Sequence, residues 1–338
     1  MTDRPTRGFA AVGPFAQAPA LFTPAPLLTP APPLEQEGEA AWFHTMAGDR
    51  LRLGFLPRKA SAAGPAGTVL LSTGRSEMLE KYAETAGELA ARGFDVVTHE
   101  WAGQGLSGRY LTDPMRAHVV GGARRMLANL DEVLTALTPL LPGPWIALGH
   151  SMGGGLTALA LALGERRFAA AVLSAPMIGI LTKPVPHPLA RVVAAAAALP
   201  LGTQLARAQI DPAVRPFEGN PFTHDRSRFD RTQALLRTWP DLRLGEPTWG
   251  WVHFACTIER QLSARGAAER ITCPVTIVAA SDEKLVDNAA ASRFADRLPR
   301  GRFTLIQGSF HEILMEQDRY RAQFWTAFDQ TVAETNTK

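Results

Sequence analysis

The chain has 338 residues, of which 46% are hydrophobic and 20% charged, and its formal net charge is +3. This length is sufficient for one large α/β domain with an insertion or for two smaller domains. The cations are scattered and form no stripe interleaved with aromatic residues, which argues against nucleic acid as a partner. The small positive excess is still compatible with a weak attraction to anionic lipid headgroups.

Residues 1–40 are rich in proline and alanine and show no sustained periodicity. This composition predicts an extended, flexible N-terminal arm. Charges of both signs at the start of the chain, and prolines that interrupt the apolar residues after it, argue against a signal peptide. No apolar run reaches the length of a membrane-spanning helix. We therefore expect a cytoplasmic protein, either soluble or in peripheral contact with the inner face of the membrane.

Between residues 41 and 176, short apolar strands alternate with helical patterns. The predicted strands are 49–56, 68–72, 94–98, 145–148 and 170–173, and the predicted helices are 79–91, 122–140 and one that starts near 151. Short, continuously apolar strands between helices are typical of a mostly parallel sheet covered by helices on both faces.

The alternation stops between residues 177 and 264, where prolines, aromatic residues and short helical patterns occur without a convincing buried strand. It resumes afterwards, with predicted strands at 275–279 and 303–306 and predicted helices at 288–298 and 319–332. We predict an α/β core made of 41–176 and 265–338, and a helical cap made of 177–264. Such a cap would lie over the carboxyl edge of the sheet, where open α/β folds bind ligands.

The segment 149–153 reads Gly-His-Ser-Met-Gly and lies between a predicted strand and a predicted helix. This is the G-x-S-x-G pattern in the context that gives it a function, because the serine then occupies a sharp turn from strand to helix. The two glycines leave room for the strained backbone, and the N-terminus of the helix adds a positive potential. The pattern predicts Ser151 as a nucleophile.

A serine nucleophile needs a histidine base, and the base needs an acid that orients it. With this motif the acid and the histidine follow the serine along the chain, each in a loop after a late strand. His311 lies just beyond the predicted strand 303–306 and is the one histidine downstream of the predicted cap. No two histidines have metal-ligand spacing, so we expect neither a metal site nor a cofactor.

The loop after the predicted strand 275–279 carries three carboxylates, Asp282, Glu283 and Asp287. Glu283 stands two residues before the apolar pair 285–286. This is the usual position of the acid in hydrolases that carry the G-x-S-x-G motif. Asp282 is the alternative, because aspartate is the commoner acid. We prefer Glu283 and keep Asp282 open, and we expect Asp287 to cap the following helix.

An acyl-transfer site also needs two backbone amides that stabilise the oxyanion. The amide of Met152, directly after the nucleophile, is the first candidate. The second comes from the loop after the predicted strand 68–72. Gly74 makes a tight bend there, which leaves the amide of Arg75 as the candidate.

Many of the sequence motifs recur together in one known family. They are G-R-S-E at 74–77, K-Y-A at 81–83, G-Q-G-L-S-G-R at 103–109, H-S-M-G-G at 150–154, A-P-M at 175–177, G-E-P-T-W-G-W-V at 245–252, V-D-N at 286–288 and H-E-I-L at 311–314. In these motifs the chain resembles the lysophospholipase L2 branch of the monoacylglycerol lipase-like serine hydrolases. One departure is Glu100, which stands where relatives commonly have aspartate.

The resemblance implies an α/β-hydrolase fold with a helical cap and an acid in the register of Glu283. It also implies release of a fatty acid from a single-chain glycerolipid, a lysophospholipid or a monoacylglycerol. Two alternatives use the same acyl-enzyme: an acyltransferase that passes the acyl group to an alcohol, and a carboxylesterase for non-lipid esters. A binding protein without catalysis is disfavoured, since such proteins usually lack the serine or the histidine.

Overall fold

The computed structural model describes residues 13–60, 66–182 and 185–336. The strands in these residues are β1 (Phe22–Pro24), β2 (Glu39–His44), β3 (Arg50–Leu56), β4 (Gly67–Ser72), β5 (Phe94–His99), β6 (Trp145–His150), β7 (Phe168–Ser174), β8 (Val275–Ala280) and β9 (Gly301–Ile306). They form one sheet in the order β1-β2-β3-β5-β4-β6-β7-β8-β9. Pairing is antiparallel from β1 to β3 and between β3 and β5, and parallel in the rest of the sheet.

Ten α-helices connect or cover these strands within the described residues. They are α1 (Pro14–Gln17), α2 (Leu34–Glu37), α3 (Ala83–Ala91), α4 (Gly122–Leu137), α5 (Ser151–Ala162), α6 (His187–Ala198), α7 (Arg226–Thr238), α8 (Trp249–Ser263), α9 (Asn288–Asp296) and α10 (Asp318–Ala333). Two predicted helices differ from the observed ones by three or more residues at one end. The helix expected over 79–91 begins as a 3₁₀ turn, Leu79–Tyr82, and the helix expected over 122–140 ends at Leu137.

Hydrophobic clusters cover both faces of the sheet. On one face, apolar residues of α4, α5, α8 and α9 pack against the strands, and on the other face those of α3 and α10 do so. Every residue of β4, β5, β6 and β8 is buried. A strand covered on both faces has no solvent side, which is why its sequence is continuously apolar instead of alternating. The predicted fold class is confirmed.

The segment 177–264, predicted as the cap, contains α6, α7 and α8. Within its described residues it contributes no strand to the sheet. Its 3₁₀ turns and prolines lie between these helices. The sheet itself runs from β7 directly to β8, so this segment is an excursion between two adjacent strands.

The prediction of a flexible arm over residues 1–40 is wrong for residues 13–40; residues 1–12 lie outside the described part of the chain. Residues 13–40 include α1, β1 and α2, and β1 pairs with β2. Phe15 and Phe22 are 0% and 1% exposed, with ring centroids 5.0 Å apart. Burial of a phenylalanine contributes roughly 1.5–3 kcal/mol, so these aromatic residues hold the segment to the sheet despite its prolines.

The carboxyl ends of the parallel strands meet at one edge of the sheet. There β4 ends at Ser72, β6 at His150, β8 at Ala280 and β9 at Ile306. The loops that follow these four strands carry the residues that the sequence singled out. The fold thus places the candidate site residues side by side, although they are far apart in the chain.

Candidate active site

Ser151 is the first residue of α5 and follows β6 without a connecting loop. Its backbone has φ of 50°, a left-handed conformation that costs a non-glycine residue of order 1–3 kcal/mol. The flanking glycines, Gly149 and Gly153, leave room for this tight turn. A Cβ at position 149 would lie 2.7 Å from the Cα of Gly154, and one at position 153 would lie 2.3 Å from the carbonyl oxygen of Ser72. The close approach of these backbones fixes Ser151 at the edge of the sheet.

His311 lies in the loop after β9 and faces Ser151. Its Nε2 atom is 3.0 Å from Ser151 Oγ, and its Nδ1 atom is 2.7 Å from Glu283 Oε2. The side chains of His311 and Glu283 are 4% and 2% exposed. A hydroxyl, an imidazole and a carboxylate therefore form one hydrogen-bonded line. This is the geometry in which an imidazole can take a proton from a serine hydroxyl.

Glu283 is held by its own loop. Its Oε1 atom accepts hydrogen bonds from the amides of Leu285 at 2.7 Å and Lys284 at 2.9 Å, while Oε2 remains for His311. Burial acts to raise the pKa of this carboxyl. The charge and hydrogen bond of His311, together with the backbone amides, outweigh burial and hold the pKa below its ordinary value. Glu283 is thus an anion at neutral pH.

The alternative acid, Asp282, has a different environment. It is exposed, and its Oδ1 atom accepts a hydrogen bond from the hydroxyl of Ser281 at 2.9 Å. Asp287 caps α9 as expected, because its Oδ1 accepts from the amide of Ala289 at 2.8 Å. Of the three carboxylates in this loop, Glu283 is the one that the structure brings to His311.

The two candidate amides for the oxyanion lie in neighbouring segments. Met152 is fully buried in the first turn of α5, and Arg75 follows Gly74 in the loop after β4. This loop lies against the turn at Ser151: a Cβ at position 74 would be 3.1 Å from the ring of His150. The amide of Gly74 donates to the carboxylate of Glu77, which fixes the bend.

Sequence reasoning missed a buried charged cluster beside this loop, made of Glu77, Lys81 and Glu312. Lys81 Nζ lies 2.8 Å from Glu77 Oε1 and 2.6 Å from Glu312 Oε1. Burial acts to raise the pKa of Glu77, but Lys81 and His150 lower it to about 2. The cluster ties the loop of Arg75 to the loop of His311. The spacing of Glu77 and Lys81 by four residues was an available signal.

Glu100 belongs to a second buried cluster. Its carboxylate and that of Glu80 both accept from the guanidinium of Arg52, and all three side chains are 0% exposed. The other oxygen of Glu100 accepts from the amides of Leu106 and Ser107 at 2.8 and 3.1 Å. The longer glutamate side chain thus reaches Arg52 while it holds the loop at 103–109. This arrangement gives the departure from the family pattern a structural role.

The fold and the line of hydroxyl, imidazole and carboxylate define the class of α/β-hydrolases with a serine at the turn after a central strand. Residues 63–318 match the family described as serine aminopeptidase, S33. Lysophospholipase L2 of Escherichia coli K12 is 35% identical over 273 residues, which are 75% of this chain and 76% of that protein. The chain belongs to this family of α/β-hydrolases, in its lysophospholipase L2 branch, and the predicted family is confirmed.

Further relatives are more distant. A probable lysophospholipase L2 of Haemophilus influenzae is 28% identical over 256 residues, covering 75% of this chain and 79% of that protein. Among solved structures, a soluble variant of monoglyceride lipase from Saccharomyces cerevisiae has a TM-score of 0.68 and 19% identity. It covers 88% of this chain and 96% of the yeast chain, and it supports the fold.

Proposed function

We propose that this protein is a serine lysophospholipase that releases a fatty acid from single-chain glycerolipids through an acyl-Ser151 intermediate. The observation that carries the proposal is the hydrogen-bonded line from Ser151 through His311 to Glu283. Chain order supports it, since serine, acid and histidine follow one another as in other hydrolases of this fold. The names of the relatives support the substrate class: lysophospholipase L2 and, at 26% identity, a monoacylglycerol lipase of Mycolicibacterium smegmatis.

In the first step, Ser151 Oγ attacks the ester carbonyl carbon while His311 Nε2 takes the hydroxyl proton. The carbonyl oxygen becomes an oxyanion, which the amides of Met152 and Arg75 stabilise. Glu283 remains ionised, orients the imidazole through Nδ1 and stabilises the imidazolium. The tetrahedral intermediate collapses when His311 gives its proton to the leaving glycerol oxygen and the ester bond breaks.

In the second step, water takes the place of the glycerol alcohol. His311 removes a proton from this water, which attacks the acyl carbon of the acyl-enzyme. The bond between that carbon and Ser151 Oγ breaks, and the proton returns to the serine. The products are a fatty acid and the regenerated hydroxyl. None of these steps uses a group other than the protein, the lipid and water.

We also propose that the cap brings the protein into peripheral contact with a membrane. No helix in the described part of the chain is long and apolar enough to span a bilayer. Of the twelve residues of α6, Ala194 alone is buried among its described neighbours. Exposed large apolar residues concentrate around this helix: Leu181, Val185, Leu189, Val192, Val193, Leu199, Leu201, Ile210 and Val214. A lipid surface would cover such a patch.

The test of the function is fatty-acid release from lysophosphatidylethanolamine, lysophosphatidylcholine, monoacylglycerol and a short p-nitrophenyl ester. Wild type is compared with Ser151→Ala and with the matched variant Ser263→Ala, at an exposed serine whose hydroxyl donates to the carbonyl of Arg260 at the end of α8. We expect activity on the lipids in wild type and in Ser263→Ala. Loss of the nucleophile should lower kcat by at least about 10⁴-fold.

Each outcome has a separate meaning. Cleavage of the short ester alone would leave the nucleophile in place and contradict the lipid substrate. Activity that persists in Ser151→Ala would contradict the mechanism. Transfer of the acyl group to added glycerol, in preference to water, would point to an acyltransferase.

A further inference from the structure

A cavity of about 90 Å³ lies between the cap and the core loops that follow β4 and β9. On the core side it is lined by Arg75, Glu77, Lys81 and Glu312, which belong to the loops after β4 and β9 and to the turn before α3. Residues of the cap, from Pro212 to Leu244, close the other side. Since a cavity of roughly 10–15 Å³ is enough for one water molecule, this cavity accommodates a group of several heavy atoms.

The cations that line the cavity differ in how many carboxylates they contact. Lys81 pairs with both carboxylates, Glu77 and Glu312, at distances of 2.8 and 2.6 Å. Arg228, at the cap side, pairs with Asp225 at 2.8 Å and also with two other carboxylates. Arg75 and Arg215 are the lining cations outside these two groups.

Arg215 shares one carboxylate with Arg207, whereas Arg75 is held by a backbone carbonyl. Glu246 is 1% exposed and accepts from Arg215 at 2.9 Å and from Arg207. Arg75 donates to the neutral carbonyl oxygen of Gly245 at 2.7 Å. Burial lowers the pKa of Arg75 to about 10, Glu246 opposes this shift, and the nearby charges of Arg207 and Arg215 add to it. Arg75 forms no salt bridge among the described residues, so an anion beside its guanidinium would gain a favourable charge interaction.

Two polar atoms of the cavity walls lack partners. Among the described residues, Arg215 Nε and Gln233 Oε1 are buried without a hydrogen bond. Gln233 is 6% exposed, and both residues line the cavity. An unpaired buried polar atom costs roughly 1–3 kcal/mol, so a ligand that supplies an acceptor to Arg215 and a donor to Gln233 would recover this energy.

We propose that this cavity binds the phosphate-bearing headgroup of a lysophospholipid, with the phosphate between Arg75 and Arg215 and a hydroxyl or ammonium group of the headgroup donating to Gln233. The inference rests on the proposed function and adds a specificity site to it. A planar guanidinium matches the oxygen geometry of a phosphate. Arg75, whose amide is a candidate oxyanion donor, and Glu312, the residue after His311, both line the cavity, so a headgroup bound there would extend from an ester held at Ser151. The enzyme would then prefer phosphate-bearing lysolipids to monoacylglycerols.

The test compares Arg215→Gln with the control Arg226→Gln, at a cap arginine that lies outside the cavity lining, is 61% exposed and pairs with Glu218 and Asp230. The quantity measured is the ratio of kcat/KM for lysophosphatidylethanolamine to kcat/KM for monoacylglycerol. We expect Arg215→Gln to lower this ratio by about tenfold or more, because a charge-assisted contact to the phosphate is lost. Arg226→Gln should leave it within about twofold. An unchanged ratio in Arg215→Gln would overturn the proposal.

A second measurement uses wild type only and is independent of how the variants fold. sn-Glycero-3-phosphoethanolamine, glycerol and inorganic phosphate are tested as inhibitors of short-ester hydrolysis. Competition by the glycerophosphodiester alone supports the headgroup site. Competition by inorganic phosphate at the same concentration would assign the cavity to free phosphate. If neither compound competes, the cavity binds neither the headgroup nor free phosphate. A wild type that cleaves the short ester but neither lipid would contradict the proposed function. The inhibition experiment would then still show whether the cavity binds the glycerophosphodiester.

Discussion

Glu283 divides its two carboxylate oxygens between two tasks. Oε1 accepts backbone amides of its own loop, and Oε2 accepts from His311. Since the pKa of Glu283 lies below its ordinary value, the carboxylate stays ionised through the neutral and mildly acidic range. A loss of activity in this pH range would therefore not arise from protonation of Glu283.

The neighbouring carboxylates give a matched pair of variants. Glu283→Gln removes the charge that stabilises the imidazolium and should lower kcat by about 10²–10⁴-fold on a short ester. Asp282→Asn changes an exposed side chain and should leave kcat within about twofold. The two rates are measured at pH 8 with folded variants verified by circular dichroism. The opposite order of effects would assign the acid to Asp282.

At the scale of single residues, a short motif predicted Ser151, and its place after a late strand predicted His311; the structure brings the two together. The sequence left Glu283 and Asp282 open, because register and residue type favoured different neighbours. It could not reveal that Lys81 contacts Glu312, because only the folded sheet brings their loops together. Pairwise contacts between distant segments leave little trace in a single sequence.

The helix α7 is attached to the core by an ionic clamp. Glu84 of α3 accepts from Arg228 and Arg231 of α7, and also from Arg321 of α10. Burial acts to raise the pKa of Glu84, but the hydrogen bonds of Arg228 and Arg231 lower it to about 2. Because the pKa in the folded state is depressed, the stabilisation is complete above about pH 4.5 and is lost as pH falls toward 2.

We expect Glu84→Gln to lower the melting temperature at pH 7 and to make the cap more susceptible to limited proteolysis. The difference from wild type should narrow as pH falls below 4.5, because Glu84 of the unfolded wild type then binds a proton that the folded protein binds only near pH 2. Glu88→Gln is the control, since Glu88 lies on the same helix and contacts Arg321 without reaching α7. Equal proteolysis of the two variants would contradict the clamp.

The exposed face of α6 gives a second prediction for an element. Leu189, Val192 and Leu199 are 53%, 66% and 95% exposed, so their joint replacement by serine should leave stability nearly unchanged. It should weaken binding to vesicles containing anionic lipid by at least about tenfold, since each side chain adds apolar area to the contact. Co-sedimentation measures the binding. Leu163→Ser, at a residue 64% exposed outside the cap, is the control. An equal loss of vesicle binding in this variant would contradict a role of the α6 face in membrane contact.

Elements of the central sheet were predictable because a doubly covered strand has a continuously apolar sequence, as in β4 and β6. The edge strand β1 was missed, since three residues ending in Pro24 carry no period. The ends of helices shifted by a few residues where local turns compete with the α-helix, as at 79–82.

At the scale of the whole molecule, the N-terminal segment joins core and cap. Leu28 packs in one cluster with Leu235 and Leu236 of α7. The amide of Leu28 donates to Glu80 Oε1 at 2.9 Å, and the indole of Trp239 donates to the carbonyl of Thr29 at 3.0 Å. This segment therefore contributes to the position of the cap over the sheet.

Leu28→Ala should cost about 2–5 kcal/mol of stability, because Leu28 is 1% exposed and its removal leaves a cavity between core and cap. Leu21→Ala, at a residue 50% exposed, should cost less than about 0.5 kcal/mol. Urea unfolding of both variants compares the two losses. Equal midpoints would show that the segment packs too loosely to stabilise the cap.

The packing of residues 13–40 also bears on how the protein is handled in the laboratory. Proline-rich leaders are commonly trimmed before crystallisation or replaced by an affinity tag. Here a truncation beyond Phe15 would remove a side chain that is 0% exposed. A truncation beyond Leu28 would also remove the residue that packs against α7. A shortened protein of low yield would then reflect a damaged core, and a loss of lipase activity in it would say nothing about the chemistry at Ser151.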